Sequence, residues 1–139
     1  MRGNARRLIV PVAFGLALAA CSGVSDPYKE PEPNIYPKNY KQEILDTLST
    51  DLTDPTNIRD AYITDPALTP VNKDQRYTVC VRANVRDQNR SYTGSKDRIA
   101  YFFAGHLNQL IEATPEQCGK AAYKPFPELE KLCYAKKCQ

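Results

Sequence analysis

The sequence predicts one α+β domain over residues 40–139: an N-terminal helix packed on a three- to four-stranded antiparallel meander, a short C-terminal helix, and disulfide staples. Three observations predict it. Residues 40–52 repeat apolar side chains at helical spacing. Residues 76–86 alternate apolar and polar side chains, the period of a half-buried strand. Cys80 lies within that alternating run and Cys118, Cys133 and Cys138 follow it, which is the arithmetic of a cross-linked fold. A chain of 139 residues is one domain's worth.

The elements follow in order. In residues 40–52, Tyr40, Ile44, Leu45, Leu48 and Leu52 fall within a sector of about 140° at 100° per residue. Lys41 and Asp51 intrude on that sector. Asn39 is a good N-cap residue, and Gln42 three residues on suits a capping box. Asp54-Pro55 ends the helix. Residues 58–64 (IRDAYIT) read as a short strand between Pro55 and Pro66. In residues 76–86, Tyr77, Val79, Val81, Ala83 and Val85 face one way, and Thr78, Cys80, Arg82, Asn84 and Arg86 the other. Residues 87–96 form a polar loop with Gly94, and residues 97–104 a third strand. Gly105-His106 is a tight turn into a fourth strand over residues 107–112. A helix through residues 99–112 competes, since Ala100, Phe103, Leu107 and Leu110 also suit helical spacing. Gly105 and the cluster Tyr101, Phe102 and Phe103 favour strands. Residues 115–123 form a short helix capped by Thr114, with Glu116 and Gln117 in its first turn. Residues 124–139 are irregular or briefly helical.

Ahead of this domain the chain has a different character. Arg2, Arg6 and Arg7 precede residues 8–20 (LIVPVAFGLALAA), which carry no charge. A basic run followed by an apolar run is the form of a signal peptide. Thirteen apolar residues fall short of the roughly twenty that cross a bilayer as a helix. The run ends in Leu18-Ala19-Ala20-Cys21, which resembles the lipobox of bacterial lipoproteins. The resemblance implies diacylglycerol on the Cys21 sulfur, cleavage before Cys21, and acylation of its new amine. Ser22 in the next position favours the outer membrane by the same resemblance. Residues 21–39 then read as the lipidated Cys and a tether rich in proline, with Pro27, Pro31, Pro33 and Pro37. Such a stretch prefers extended polyproline conformation. Tyr28, Ile35 and Tyr36 offer it a means of packing on the domain.

The net charge of +3 belongs to the leader. Without Arg2, Arg6 and Arg7 the 19 basic residues become 16, against 16 acidic. There is no Trp, and His106 is the single histidine. A catalytic triad would have to use His106, beside Gly105 in a turn. No G-x-S-x-G, H-E-x-x-H or phosphate-loop pattern occurs. Glu30 and Glu32 lie in the tether, and Glu128 and Glu130 flank Leu129 on a surface. The sequence therefore indicates no catalytic residue, no metal site and no cofactor. Arg82, Arg86 and Arg90 lie near Lys96 and Arg98 across the expected hairpin, with Asp87 and Asp97 interleaved. This reads as a solvated face. As a binding surface it suits anionic lipid head groups, envelope glycans or an acidic partner better than nucleic acid. Tyr92, in the polar loop, joins Arg82 and Arg86 as the candidate binding surface, because Tyr is enriched at interfaces. Tyr77 and Tyr101 read as core.

Four cysteines beyond Cys21 allow three pairings. Cys80 faces away from Val79 and Val81, and the segment after the last strand, which carries Cys118, is the nearest cover for that side. This favours Cys80–Cys118 with Cys133–Cys138. Pairing of Cys80 with Cys133 or Cys138 stays open.

Residues 52–63 (LTDPTNIRDAYI), with YTVCVRANVRD and SYTG after them, resemble a family of small envelope lipoproteins of alphaproteobacteria over roughly residues 40–120. That family brings no assigned activity. A more distant resemblance is to the periplasmic C-terminal domain of TolA, which has an opening helix, a Cys-bearing strand and a later Cys at a short helix. The counterparts are the helix at 40–52, Cys80 in YTVCVRANV and Cys118 in TPEQC. This likeness implies the same Cys80–Cys118 bond. The chain departs from it in the strand at 58–64 and the longer loop at 87–96. The resulting expectation is a lipid-anchored, non-enzymatic module facing the periplasm. Its partners are the membrane and an envelope protein or cell-wall component. The alternative is a small periplasmic ligand-binding protein or hydrolase.

Overall fold

Strict alternation makes residues Asp74–Arg86 the longest strand and the centre of the sheet. The computed structural model describes Glu32 and residues 34–133. The leader, Cys21, Tyr28, most of the tether and Cys138 lie outside the described residues. In chain order the elements are α1 (Tyr40–Asp51), β1 (Asp54–Ile63), β2 (Ala67–Val71), β3 (Asp74–Arg86), β4 (Tyr92–Phe103), β5 (His106–Glu112), α2 (Pro115–Cys118), β6 (Lys124–Pro125) and α3 (Pro127–Glu130). The α+β class with an antiparallel sheet and a Cys80–Cys118 disulfide is as expected. Two finer expectations are corrected. The strands number six rather than three or four. The helix is not N-terminal in the chain, since residues 1–39 precede it.

The sheet order is β5-β4-β3-β1-β6, and β2 also pairs with β3. β3 is long enough to hold two strands along one edge: β2 meets its residues 74–78 and β1 its residues 81–86. β2 was not among the expected strands, and it contains Pro70. Proline is confined to edge strands, and β2 is one, bonded only to β3. Asn72 opens the β2–β3 turn at φ 58°, a left-handed conformation that Asn tolerates. β6 is a two-residue contact with Tyr62 and Ile63, held by the Phe126 N–H donating to Ala61 O at 2.8 Å.

β4 begins at Tyr92, so the second half of the expected loop is strand. β3 runs on to Arg86 and supplies the partners, Asn84 to Ser95 and Arg86 to Tyr92. The loop shrinks to residues 87–91, where Asp87 Oδ1 accepts the N–H groups of Asn89 at 2.8 Å and Ser91 at 3.0 Å. Residues 99–112 form the hairpin and not the competing helix. Its turn is Ala104-Gly105, one residue earlier than expected, with φ of 50° and 81°. Positive φ at both central residues matches the twist of the flanking strands.

α1 buries Ile44 and Leu48 as its spacing predicts. Asn39 makes no side-chain cap, and Gln42 donates to Asp46 Oδ1 at 2.8 Å instead. The capping box forms at α2, where Gln117 Oε1 accepts the Thr114 N–H at 2.8 Å. α2 stops at Cys118, short of the expected residue 123.

Alternation in β3 gives the sheet two covered faces. Ile44 and Leu48 of α1, Phe126 and Leu129 pack against Ile63, Val79, Val81, Ala100 and Phe102 on the main face. On the reverse, Cys80 and Ile99 lie under Cys118, Ala121 and Tyr123. The segment after the last strand does cover Cys80, and the Cys80–Cys118 bond joins Cα atoms 5.9 Å apart. Cys133 is disulfide-bonded as well; its expected partner, Cys138, lies outside the described residues. The end of the tether is docked: Pro37 is fully buried, and the Tyr36 ring meets Tyr77 edge-on at 5.3 Å.

Candidate functional site

Beyond the disulfide the reverse face becomes polar. The β3–β4 register sets Arg82 opposite Asp97 and Asn84 opposite Ser95, so Arg82 and Arg86 share one face as the alternation implied, and after a register shift Tyr92, expected in the loop, pairs with Arg86. Each is already engaged within the protein. Arg82 donates from Nε to Asp97 Oδ1 at 2.7 Å and from Nη2 to Oδ2 at 2.9 Å, and its guanidinium stacks on the Tyr123 ring at 4.4 Å. Tyr123 donates its hydroxyl to Asp97 Oδ1 at 2.9 Å. Arg86 lies 2.9 Å from Asp54 Oδ2 and donates to Thr56 Oγ1 at 2.9 Å. Tyr92 donates its hydroxyl to Asn57 O at 2.7 Å.

These contacts set the protonation of the carboxylates. Hydrogen bonds from Arg82 hold Asp97 below the usual carboxylate range, against burial. Asp97 in turn raises Arg82, while burial opposes it. Burial and the bond to Asp97 push the Tyr123 phenol up. For Asp54, burial raises the pKa but the Thr56 hydroxyl and N–H, with Arg86, outweigh it and leave it lowered.

Arg59 is the residue that sequence reasoning missed. β1 departs from regular pairing on both sides of it, and Asn57 and Asp60 both take φ 52°. The irregular stretch lays the Arg59 guanidinium 4.2 Å above the Tyr92 ring. Neither Arg59 nor Arg90 has a carboxylate partner among the described residues. Asn and Asp tolerate the left-handed region, but nothing in the sequence shows which of them adopt it, so the Arg59–Tyr92 stack was not foreseeable.

The basic side chains expected near Arg82 divide between faces. The register sets Lys96 opposite Ala83 and Arg98 opposite Val81, on the main face. Lys96 pairs with Glu112 at 3.8 Å. Burial pushes Arg98 below the usual guanidinium value, with Glu112 acting the other way. His106 is exposed at the start of β5, its Nδ1 3.2 Å from Glu43 Oε1.

Concavities lie on both sides of the sheet. One, about 480 Å³, lies between α1 and β5 and is lined by Glu43, Asp46, Asp51 and Leu107 among others. The other, about 350 Å³, lies beside the disulfide and is lined by Thr64, Thr69, Thr78, Cys80 and Lys124. Lys124 Nζ is paired with Asp65 there. Among the described residues no group of three or more His, Cys, Asp or Glu is placed to hold a metal ion. No described helix is long and apolar enough to cross a membrane.

No known family, curated protein or solved structure matches this chain. Among the described residues this end of the sheet holds a stacked guanidinium and phenol, an Arg90 with no carboxylate partner, and carboxylates paired with arginine.

Proposed function

We propose that the protein is a lipid-anchored, non-enzymatic accessory module of the bacterial envelope, held by Cys21 and presenting the Arg59–Tyr92 end of its sheet to an envelope protein or cell-wall component. One relationship carries the reading. The chain from Cys21 enters the fold at the Ala104-Gly105 turn, where Ile35 packs against Gly105 and Tyr36 against Tyr77. Tyr92 lies at the other end of the twelve-residue β4, about 35 Å away at the rise of an antiparallel strand. A tether at one end and the Arg59–Tyr92 stack with Arg90 at the other give the domain a near side and a far side. Arg82 and Arg86 support that far surface from beneath through Asp97 and Asp54. The leader, the Leu18-Ala19-Ala20-Cys21 run and Ser22 support the anchor and favour the outer membrane.

Photo-crosslinking in intact envelopes tests it. A photoreactive residue at position 90, in the exposed far loop, is expected to give an adduct of defined mass. The same residue at exposed position 120 is expected to give none. Equal or absent adducts at the two positions would overturn the reading.

A further inference from the structure

The three most exposed large apolar side chains among the described residues are Ile35, Tyr36 and Leu68, at 47%, 46% and 46% of their full area. They come from two parts of the chain that converge on Tyr77. Leu68 pairs directly with Tyr77 across β2 and β3, and Tyr36 rests edge-on against the same Tyr77 ring. Ile35 adjoins Tyr36 and lies over Gly105. One apolar patch therefore spans the tether's last residues and the edge strand β2. Monomeric proteins seldom leave such contiguous apolar surface uncovered without a use.

Its surroundings are basic. Lys38 follows the buried Pro37, and Lys73 sits in the turn between β2 and β3. Neither has a carboxylate partner among the described residues. Arg76 stacks on Phe103 at 4.6 Å and lies 3.8 Å from Asp74, the acidic side chain of this hairpin end. Lys38, Lys73 and Arg76 thus stand around the patch, with Asp74 beside Arg76, Asp65 taken by Lys124, and Glu32 three residues ahead of Ile35. His106 and Glu43 nearby pair with each other.

We propose that this end of the domain rests on the lipid bilayer, with Ile35, Tyr36 and Leu68 at the boundary of head groups and acyl chains and Lys38 and Lys73 against anionic head groups. The inference deepens the lipid-anchored reading and rests on it. The patch ends the segment that would tie the fold to a lipid. Residues 22–34 separate Cys21 from Ile35, a reach of at most about 40 Å in extended polyproline conformation. A short tether of this kind holds the patch at high effective concentration near the bilayer, so weak contacts suffice. Tyrosine favours the membrane interface because its ring is apolar and its hydroxyl wet. Unpaired lysines are drawn to anionic leaflets within a Debye length.

The test uses the lipidated full chain with an environment-sensitive fluorescent amino acid at position 68, or at position 90 for comparison. Reconstitution into vesicles of phosphatidylethanolamine and phosphatidylglycerol is expected to shift the emission at position 68 to the blue and leave position 90 unchanged. Lys38→Glu with Lys73→Glu, both exposed, is expected to shrink the shift. Flotation separates the two readings. A protein that floats with the vesicles but shows no shift at position 68 keeps its anchor and overturns the resting face. A protein that does not float overturns both. A shift in native envelopes that is missing in pure lipid vesicles assigns the patch to a protein partner and also overturns the proposal.

Discussion

Arg82 and Asp97 face each other across β3 and β4 in a two-bond clasp, Nε to Oδ1 at 2.7 Å and Nη2 to Oδ2 at 2.9 Å. The Tyr123 hydroxyl closes on the same Oδ1 at 2.9 Å. The clasp ties the two central strands to the segment that follows α2.

Asp97 carries a pH dependence. Its folded pKa is depressed by Arg82, so its contribution is complete above the unfolded value of about 3.9 and is lost as pH falls through the folded value. Asp97→Asn is expected to cost about 1 kcal/mol at neutral pH, below the range for charged hydrogen bonds, because solvent screens the pair. The Arg82 side chain is 37% exposed. Denaturant titrations from pH 7 downward should show a shallower acid limb in the variant. Parallel limbs would show that Asp97 does not supply this dependence.

Cys80 and Cys118 close a separation of 38 residues, which the chain-entropy account values at roughly 4 kcal/mol. Cys118 is wholly buried, so its loss also thins the packing beneath α2. Cys80→Ala with Cys118→Ala is expected to lower unfolding stability by about that amount. Reduction of the native protein should reproduce most of the loss. A change below about 1 kcal/mol would show that the bond constrains the unfolded chain far less than its span suggests.

The parts that could be read in sequence were those set by local period. Alternation in residues 76–86 gave β3, its two faces and the outward turn of Cys80. The same alternation put Arg82 and Arg86 on one side. What escaped depended on partners distant in sequence. β2 forms only by pairing with β3, and its Pro70 is tolerated because the strand is an edge. Residues 92–96 look like a loop until β3 is seen to extend opposite them. Asp54, Asp97 and Tyr123 meet their arginines only through register and chain path, and Arg59 reaches Tyr92 only through the irregular β1. Asn39 shows the converse, a good cap residue whose side chain makes no cap bond.

Cys21→Ala is expected to free the protein from the membrane or stall it as an uncleaved precursor. The ground is the Leu18-Ala19-Ala20-Cys21 run after a basic and then apolar leader. Fatty-acid labelling and membrane fractionation measure it. Labelling that persisted in the variant would defeat the assignment.

Removing residues 24–34 is expected to leave the melting temperature of the domain unchanged. Glu32 and Asn34, the described members of that stretch, are exposed. The docked residues Ile35, Tyr36 and Pro37 remain in the deletion. A fall of many degrees in calorimetry would mean that the packed part of the tether starts earlier.

Gly105 tests the docking from the other side. It takes φ 81°, and a Cβ built there would lie 3.1 Å from Ile35 Cγ2. Two separate costs therefore attend Gly105→Ala. The left-handed backbone alone costs an alanine about 1–2 kcal/mol. Crowding of Ile35 adds to it, unless the tether lifts away from the turn. Ile35→Ala removes the crowding but not the backbone cost, so the two substitutions should not be additive. Ile35→Ala is expected to destabilise the native protein and to do so less, or not at all, in the Gly105→Ala background. Neighbouring residues of this kind show coupling of roughly 0.5–3 kcal/mol in double-mutant cycles. Denaturant melts of the four proteins measure it. Strict additivity would mean that Ile35 does not bear on the turn in solution, and the near side of the domain would lose its fixed point of entry.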